Sequence, residues 1–329
     1  MPIDTNFSFH HLHTGQPGAL VKGFIAGEED YLGLLRGLAG TYPAHNPQRK
    51  WKGSGFNMIW RPNFANASGS QPHFLQLNMT NEELSFTEIS GSTGIANRGL
   101  LQEDIFLGGA TYLQTIADSF DNTDQHFEVG VFNRVPPTTD PAEPETVTRL
   151  GTIPHGTTIN LQGTAFVTDV PQIAAASITP FGIGSPDDGQ SGLVHFPEEV
   201  LANALDSRTD LARVASLDQA HLANPNLFLL DALAGQTITR TTVILLSSDS
   251  AAAGAVPDAG GGVDNIAFLK GKAAGPNAVA PKVTAIFWIE EGQDADGSAL
   301  LQLQYTQRVL LDFGGLSWPH ITVGTLRPA

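Results

Sequence analysis

Short segments rich in β-branched and aromatic residues recur along most of this 329-residue chain, with turn-forming residues between them. Such segments, bounded by Gly, Pro, Asn or Asp, are typical of β-strands joined by tight turns. The pattern predicts strands in two blocks, at residues 51–60, 74–77, 84–89, 105–116, 127–135, 146–154 and 157–167, then at 237–246, 266–270, 283–290, 300–311 and 321–326. An all-β fold follows, either an antiparallel β-barrel of about ten strands or a two-layer sandwich, and we favour the barrel.

Two predicted strands differ in the pattern of their faces. Residues 283–289 (VTAIFWI) are apolar on both faces, which is typical of a strand with one face towards a cavity and the other covered. Residues 301–306 (LQLQYT) alternate strictly, which predicts one apolar face and one face in contact with water. A barrel partly covered by insertions and a sandwich with a filled core are both consistent with these patterns.

One β-barrel domain spanning residues 1–329 is expected, with a helical insertion. Residues 28–38 begin with acids and space their apolar residues as a helix does, and Gly40 is placed to end that helix. Residues 197–233 begin with Pro and two Glu and continue with an apolar stripe, which predicts a helical insertion or lid over one opening of the barrel. Residues 1–27 are predicted to form an N-terminal arm.

The charge balance limits the partners of this chain. Its net charge of −16 and pI of about 4.8 argue against binding nucleic acid, which requires clustered Lys and Arg. The absence of cysteine excludes disulfides and thiolate metal sites. Neither a signal-peptide pattern at residues 1–20 nor an apolar run long enough to cross a bilayer is found, so we expect a cytoplasmic protein without a membrane partner.

Histidine is the residue type that carries most of the candidate chemistry. The nucleophile elbow, the phosphate-binding loop and the zinc-protease motif are all missing from the sequence. His320 lies in residues 318–323 (WPHITV), at the start of the last predicted strand, where it is either a structural residue or a neutral imidazole aimed inward as a metal or haem ligand. His155 lies between Pro154 and Gly156, where it is either a turn residue or a polar group at a cavity mouth.

A resemblance to a known family favours the ligand role of His320. Residues 35–41 (LRGLAGT) and 51–55 (WKGSG) resemble the opening of the nitrobindin-like, fatty-acid-binding-protein-like barrels, although residues 42–50 separate the two halves here. The resemblance implies a calycin-like β-barrel whose last strand carries the histidine that ligates ferric haem, a role that falls on His320. Residues 56–62, 97–101 and 153–160 look like a larger group of bacterial and fungal proteins labelled haem-binding.

Three functions are therefore in competition. The first is a haem-binding barrel that reacts with nitric oxide or peroxide at the iron, with His320 as the metal ligand and His155 as a second candidate for cofactor binding. The second is a cofactor-free barrel that binds, isomerises or cyclises a hydrophobic small molecule, with its candidate catalytic groups at His155, Tyr112, Arg98 and Asp104. The third is a non-catalytic carrier or structural protein.

Overall fold

The computed structural model describes residues 30–40, 48–67, 71–90, 93–204, 206–207, 216–249, 260–272 and 275–329. The arm predicted at residues 1–27 lies outside the described residues. Parts of the predicted lid, namely residue 205 and residues 208–215, also lie outside them.

The described part of the chain contains fourteen strands. In chain order they are β1 (Gln48–Pro62), β2 (His73–Glu88), β3 (Ile95–Asn97), β4 (Ile105–Asp118), β5 (Asp124–Val135), β6 (Thr146–Ile153), β7 (Thr157–Thr168), β8 (Phe181–Gly182), β9 (Asp206–Ser207), β10 (Thr237–Ser247), β11 (Gly262–Asn265), β12 (Val283–Gln293), β13 (Ala299–Phe313) and β14 (Leu316–Pro328). Ten of them pair antiparallel in the order β4-β5-β6-β7-β10-β12-β13-β14-β1-β2, and pairing of β2 with β4 closes the sheet. The prediction of an antiparallel barrel of about ten strands is confirmed.

Helices are short and few in the described residues. They are α1 (Arg36–Ala39), α2 (Gln219–Ala223), α3 (Leu227–Ala232) and α4 (Ala267–Lys270), with 3-10 turns at Gly33–Leu35, Phe64–Asn66, Pro197–Glu199 and Leu201–Asn203. The strand predicted at 266–270 is wrong, because this stretch forms α4. The side chain of Asn265 bonds both the N–H and the carbonyl of Ala280, at 3.0 and 2.9 Å, and the chain turns away from the sheet at that point.

The inner faces of all ten barrel strands meet in one apolar cluster. Its contacts cross the barrel: the ring of Phe132 on β5 lies 5.6 Å from that of Phe287 on β12. Each strand contributes at least one buried side chain to it. Taken in chain order, with one residue for each strand, these include Trp51, Leu84, Tyr112, Phe132, Val147, Leu161, Leu246, Phe287, Leu303 and Leu326. Since neighbours along a strand point to opposite faces, these residues fix which side of every strand is the inside.

Helix α1 closes one end of the barrel. Leu35 and Leu38 are buried in the inner cluster, and the Nε1–H of Trp51 donates to the carbonyl of Leu38 at 3.0 Å. The helix touches β1 and β2, and the preceding 3-10 turn touches β5 and β7 across the opening. Gly40 ends the helix with φ of 100°, a conformation that favours glycine, as the sequence predicts.

A second apolar cluster lies on the outside of the wall. Phe56 and Met58 on β1 point outward, yet they are fully buried under a cover formed by parts of residues 173–233. The rings of Phe56 and Phe228 lie 4.9 Å apart, and the Nε1–H of Trp60 donates to the carbonyl of Ile178 at 2.9 Å. The described parts of the predicted lid therefore cover the outside of the barrel wall.

This cover also explains a strand face that the sequence analysis assigned to water. Gln302 and Gln304 in β13 alternate with leucines, but both side chains are completely buried. The Nε2–H of Gln304 donates to the carbonyl of Leu229 in α3 at 2.9 Å, and that of Gln302 donates to Glu290 Oε2 at 2.6 Å. The prediction of a wet face was wrong, because the covering segment is distant in sequence from the strand.

Candidate functional site

At the end of the barrel away from α1, the inner faces of β1 and β14 are more accessible than their outer faces. On β1 the inward-facing Asn57 and Ile59 keep part of their surface accessible, whereas the outward-facing Phe56 and Met58 are fully buried. His320 on β14 is the antiparallel pairing partner of Ile59 on β1, and it also keeps accessible surface. The inward-facing residues that keep accessible surface at this end are Asn57, Ile59, His126, Gln307, Leu311 and His320, and the space they face is here called the lumen.

Three imidazoles from separate elements face one another in the lumen, and we call them the lumen histidines. His126 lies on β5, His155 lies in the turn between β6 and β7, and His320 lies on β14. The ring centroids of His126 and His155 are 5.6 Å apart. Burial, together with positive charge on the other two imidazoles, lowers the pKa of His320 to about 3. His320 is thus neutral at physiological pH and keeps a lone pair for a ligand.

His155 lies at the mouth of the lumen, because its side chain is the most exposed of the three. Partial desolvation and the positive charges of His126 and Arg61 lower its pKa as well. Arg61 points inward from β1, and its Nη1–H donates to Gln76 Oε1 at 2.5 Å. The guanidinium lies 5.3 Å from the ring centroid of Phe74. Arg61 therefore places a positive charge near the mouth, where it acts on His155.

The side chain of Asn57 sets the orientation of His320. Its Oδ1 lies 2.8 Å from Nε2 of His320, and the two residues are on the adjacent strands β1 and β14. With Oδ1 as the acceptor, Nε2 carries the proton and Nδ1 carries the lone pair. A ligand that needs Nε2 must first displace Asn57.

A buried ion pair between Glu128 and Arg149 lies deeper in the barrel than His126. Glu128 accepts a hydrogen bond from the hydroxyl of Tyr112, and Nη2 of Arg149 lies 2.7 Å from its Oε1. Nη1 of Arg149 donates to Gln307 Oε1 across the barrel at 2.7 Å. Burial alone would raise the pKa of Glu128, but the positive charge of Arg149 and the contacts with His126 and Tyr112 together outweigh it and lower the pKa to about 2. Glu128 is therefore an anion at all physiological pH values.

A second buried carboxyl group lies in the same layer but has no cation beside it. Glu82 on β2 accepts hydrogen bonds from the hydroxyls of Tyr305 and Thr80, and Gln114 Nε2 donates to the Tyr305 oxygen at 3.0 Å. Burial raises the pKa of Glu82 to about 7, although these hydrogen bonds oppose the rise. The barrel interior thus holds one carboxyl group that is always ionised and another that titrates near neutral pH.

The residues predicted from the sequence fall in three places. His155 and His320 both face the lumen, and Tyr112 lies deeper, in the hydrogen-bond network of Glu128. Arg98 and Asp104 form an exposed ion pair at 3.2 Å outside the barrel and are not brought together with the others.

His126, Glu128 and Arg149 were not predicted from the sequence. Strand β5 reads as an apolar strand, but Phe127 and Val129 point outward and are 54% and 47% exposed, while His126 and Glu128 point inward. A polar pair two residues apart within a β-rich run is the signal that would have indicated a polar interior.

Within the described ranges, no group of three His, Asp or Glu side chains is placed to hold a metal ion by itself. Among the helices that the structure describes, none is long and apolar enough to span a bilayer.

Comparisons with known proteins add little to the site. No family model matches the chain, and no curated protein matches it. Among solved structures, the crystal structure of Rv2717c from M. tuberculosis is similar over 92% of this chain and 98% of its own, with 13% sequence identity and a TM-score of 0.40. Agreement of this size assigns neither a family nor a function.

Proposed function

We propose that the protein binds a small molecule in the lumen and that the lumen histidines supply its polar contacts. One observation carries this proposal: inward-facing side chains at this end keep accessible surface while their outward neighbours on β1 and β14 are buried. Ile59 and Leu311 add apolar surface to the wall, so the ligand is expected to be largely hydrophobic with at least one polar group.

Haem is the first ligand that we propose. His320 fits an iron ligand because it is a neutral imidazole on a rigid strand and faces the lumen. His155 is the second imidazole available to the cofactor. Bound haem would supply an iron able to react with nitric oxide or peroxide, while this chain would hold it and limit access of water. The hydrogen bond from Nε2 of His320 to Asn57 competes with coordination through that nitrogen.

Titration with haem tests this proposal through the Soret absorption band. We expect the band to form with the wild type, to be lost in His320→Ala and to persist in His221→Ala. His221 is a matched control, because it lies outside the barrel between Asp218 and Asp231. Asn57→Ala should increase the affinity if iron binds Nε2. Loss of the band in His155→Ala but not in His320→Ala would identify His155 as the ligand.

A cofactor-free ligand is the second candidate, favoured by the contact between the His126 ring and the anion of Glu128. This pair offers acid-base chemistry without a metal. Fluorescence of 1-anilinonaphthalene-8-sulfonate measures binding of such a hydrophobic probe. Ile59→Glu, in the lumen wall, should weaken binding at least ten-fold, whereas Val129→Glu, at an outward-facing position of β5 that is 47% exposed, should not. Equal effects of the two variants would reject binding in the lumen.

A further inference from the structure

One carboxylate oxygen of Glu128 has no hydrogen-bond partner among the residues that the structure describes, and the side chain of His126 lies beside it. The two side chains share the inner face of β5, and Nε2 of His126 lies 3.6 Å from Oε2 of Glu128. Oε1 of the same carboxylate is bound by Tyr112 and Arg149. Oε2 is buried and has no hydrogen-bond partner in the described part of the chain. Since a buried anionic oxygen without a donor is costly, a proton on Nε2 of His126 is the natural donor for it.

We infer that His126 accepts a proton from a weakly acidic ligand in the lumen and that Glu128 is the positioning residue that prepares it. With the Nε2–H group directed at Glu128, the lone pair of His126 lies on Nδ1. The O–H bond of the ligand breaks, its electron pair stays on the ligand oxygen, and the proton forms the N–H bond at Nδ1. No oxidant or reductant takes part. The ligand class is a small phenol or a comparable hydroxyl compound, and the inference rests on the proposed binding in the lumen.

The charged and titratable groups around His126 come from several elements. On the basic side are His155, His320 and Arg61, and the pKa of each of the two imidazoles is lowered. On the acidic side, Asp118 ends β4 and Asp124 begins β5, and Asp118 is already bound by the side chain of Gln125 and the backbone of Phe120. Within 4 Å of the His126 ring, Glu128 is the one carboxylate among the described residues.

Arg149 and Tyr112 keep this anion in place. Arg149 is 1% exposed, and its guanidinium lies 5.2 to 5.7 Å from the ring centroids of Tyr112, Phe132 and Phe287. Because Arg149 is held this firmly, it does not move when the charge on His126 changes. Glu128 therefore stays ionised and fixed while His126 gains or loses its proton. The imidazole ring of His155, 5.6 Å away, provides a route by which that proton reaches the mouth.

Nitrogen-15 NMR of the histidine side chains tests the pair without any ligand. We expect wild-type His126 to carry its proton on Nε2 and to lose this preference in Glu128→Gln. Because Glu128→Gln leaves the charge of Arg149 unpaired, the neutral double variant E128Q/R149M is measured as well. Glu82→Gln is the matched control, since it removes a second buried carboxyl group from the same barrel. The inference would be overturned if the His126 proton kept its preference for Nε2 in both Glu128 variants. It would also be overturned if Glu82→Gln altered that preference equally.

p-Nitrophenol then reports proton transfer directly, because its phenolate absorbs visible light and its phenol does not. Near neutral pH we expect bound p-nitrophenol to ionise in the wild type and to bind un-ionised in His126→Gln and Glu128→Gln. Binding without ionisation in the wild type would overturn the proton transfer but leave the lumen site intact. Failure of p-nitrophenol to bind at all would count against both the lumen site and the inference.

Discussion

The carboxyl group of Glu82 should make the stability of the barrel depend on pH in a way that a single isosteric substitution removes. Burial raises its pKa from 4.5 to about 7, so the folded protein holds this proton more tightly than the unfolded chain does. The resulting stabilisation is complete below pH 4.5 and is lost as the pH rises through 7. The difference, 7 − 4.5 = 2.5, corresponds to about 3.5 kcal/mol at roughly 1.4 kcal/mol for each pH unit. Glu82 is fully enclosed by the barrel, so solvent screening does not reduce this figure appreciably.

Urea unfolding at pH 5 and pH 8 measures this effect. Other groups titrate in the same range, notably Glu290, whose pKa burial also raises to about 7. Their contributions cancel when the wild type is compared with Glu82→Gln. Relative to the wild type, the variant should gain about 2 to 3 kcal/mol of unfolding free energy between pH 5 and pH 8. Glu83→Gln, on the outer face of the same strand, should show no such gain. A constant difference between wild type and Glu82→Gln at the two pH values would refute the reasoning.

Three further predictions concern other contacts. Arg149→Met should cost roughly 3 to 5 kcal/mol in urea unfolding, because it leaves the anion of Glu128 buried and unpaired, and adding Glu128→Gln should restore much of the loss. His73→Phe should reduce the loss of melting temperature between pH 8 and pH 5, because burial lowers the pKa of His73 and the unfolded chain gains its proton as the pH falls below 6.5. Trp60→Ala should cost about 3 to 5 kcal/mol and speed amide hydrogen exchange in residues 219–232, because Trp60 belongs to the cluster between cover and wall.

The strands were predictable because their signal is local. In residues 283–289 the apolar pattern on both faces has a simple origin: Phe287 belongs to the inner cluster, and Trp288 lies under the cover. The cover itself could not be placed from the sequence. Gln302 and Gln304 look like residues of a wet face, and their burial depends on a segment some 70 positions earlier in the chain.

The site was predictable only in part, for a related reason. His320 and His155 stand out because each has an unusual neighbour, a proline or a glycine, and because the resemblance to haem-binding barrels draws attention to the last strand. His126 lies in a run of ordinary strand residues, and its role follows from barrel closure, which brings β5 opposite β14. Closure of the barrel depends on the complete set of strand pairings, so the sequence of a single strand does not predict it.

The ion pair between Arg149 and Glu128 has a clearer connection to function than to stability. A buried ion pair loses the hydration of both charges, and apolar side chains of similar size often stabilise a fold as well or better. The apolar half of the barrel, filled by Leu35, Leu38 and the inner cluster, already supplies the packing that such a fold needs. At the boundary with the lumen the pair does what an apolar contact cannot, because it fixes a negative charge beside His126. The neutral double variant should therefore fold about as stably as the wild type and yet lose proton transfer from the ligand to His126.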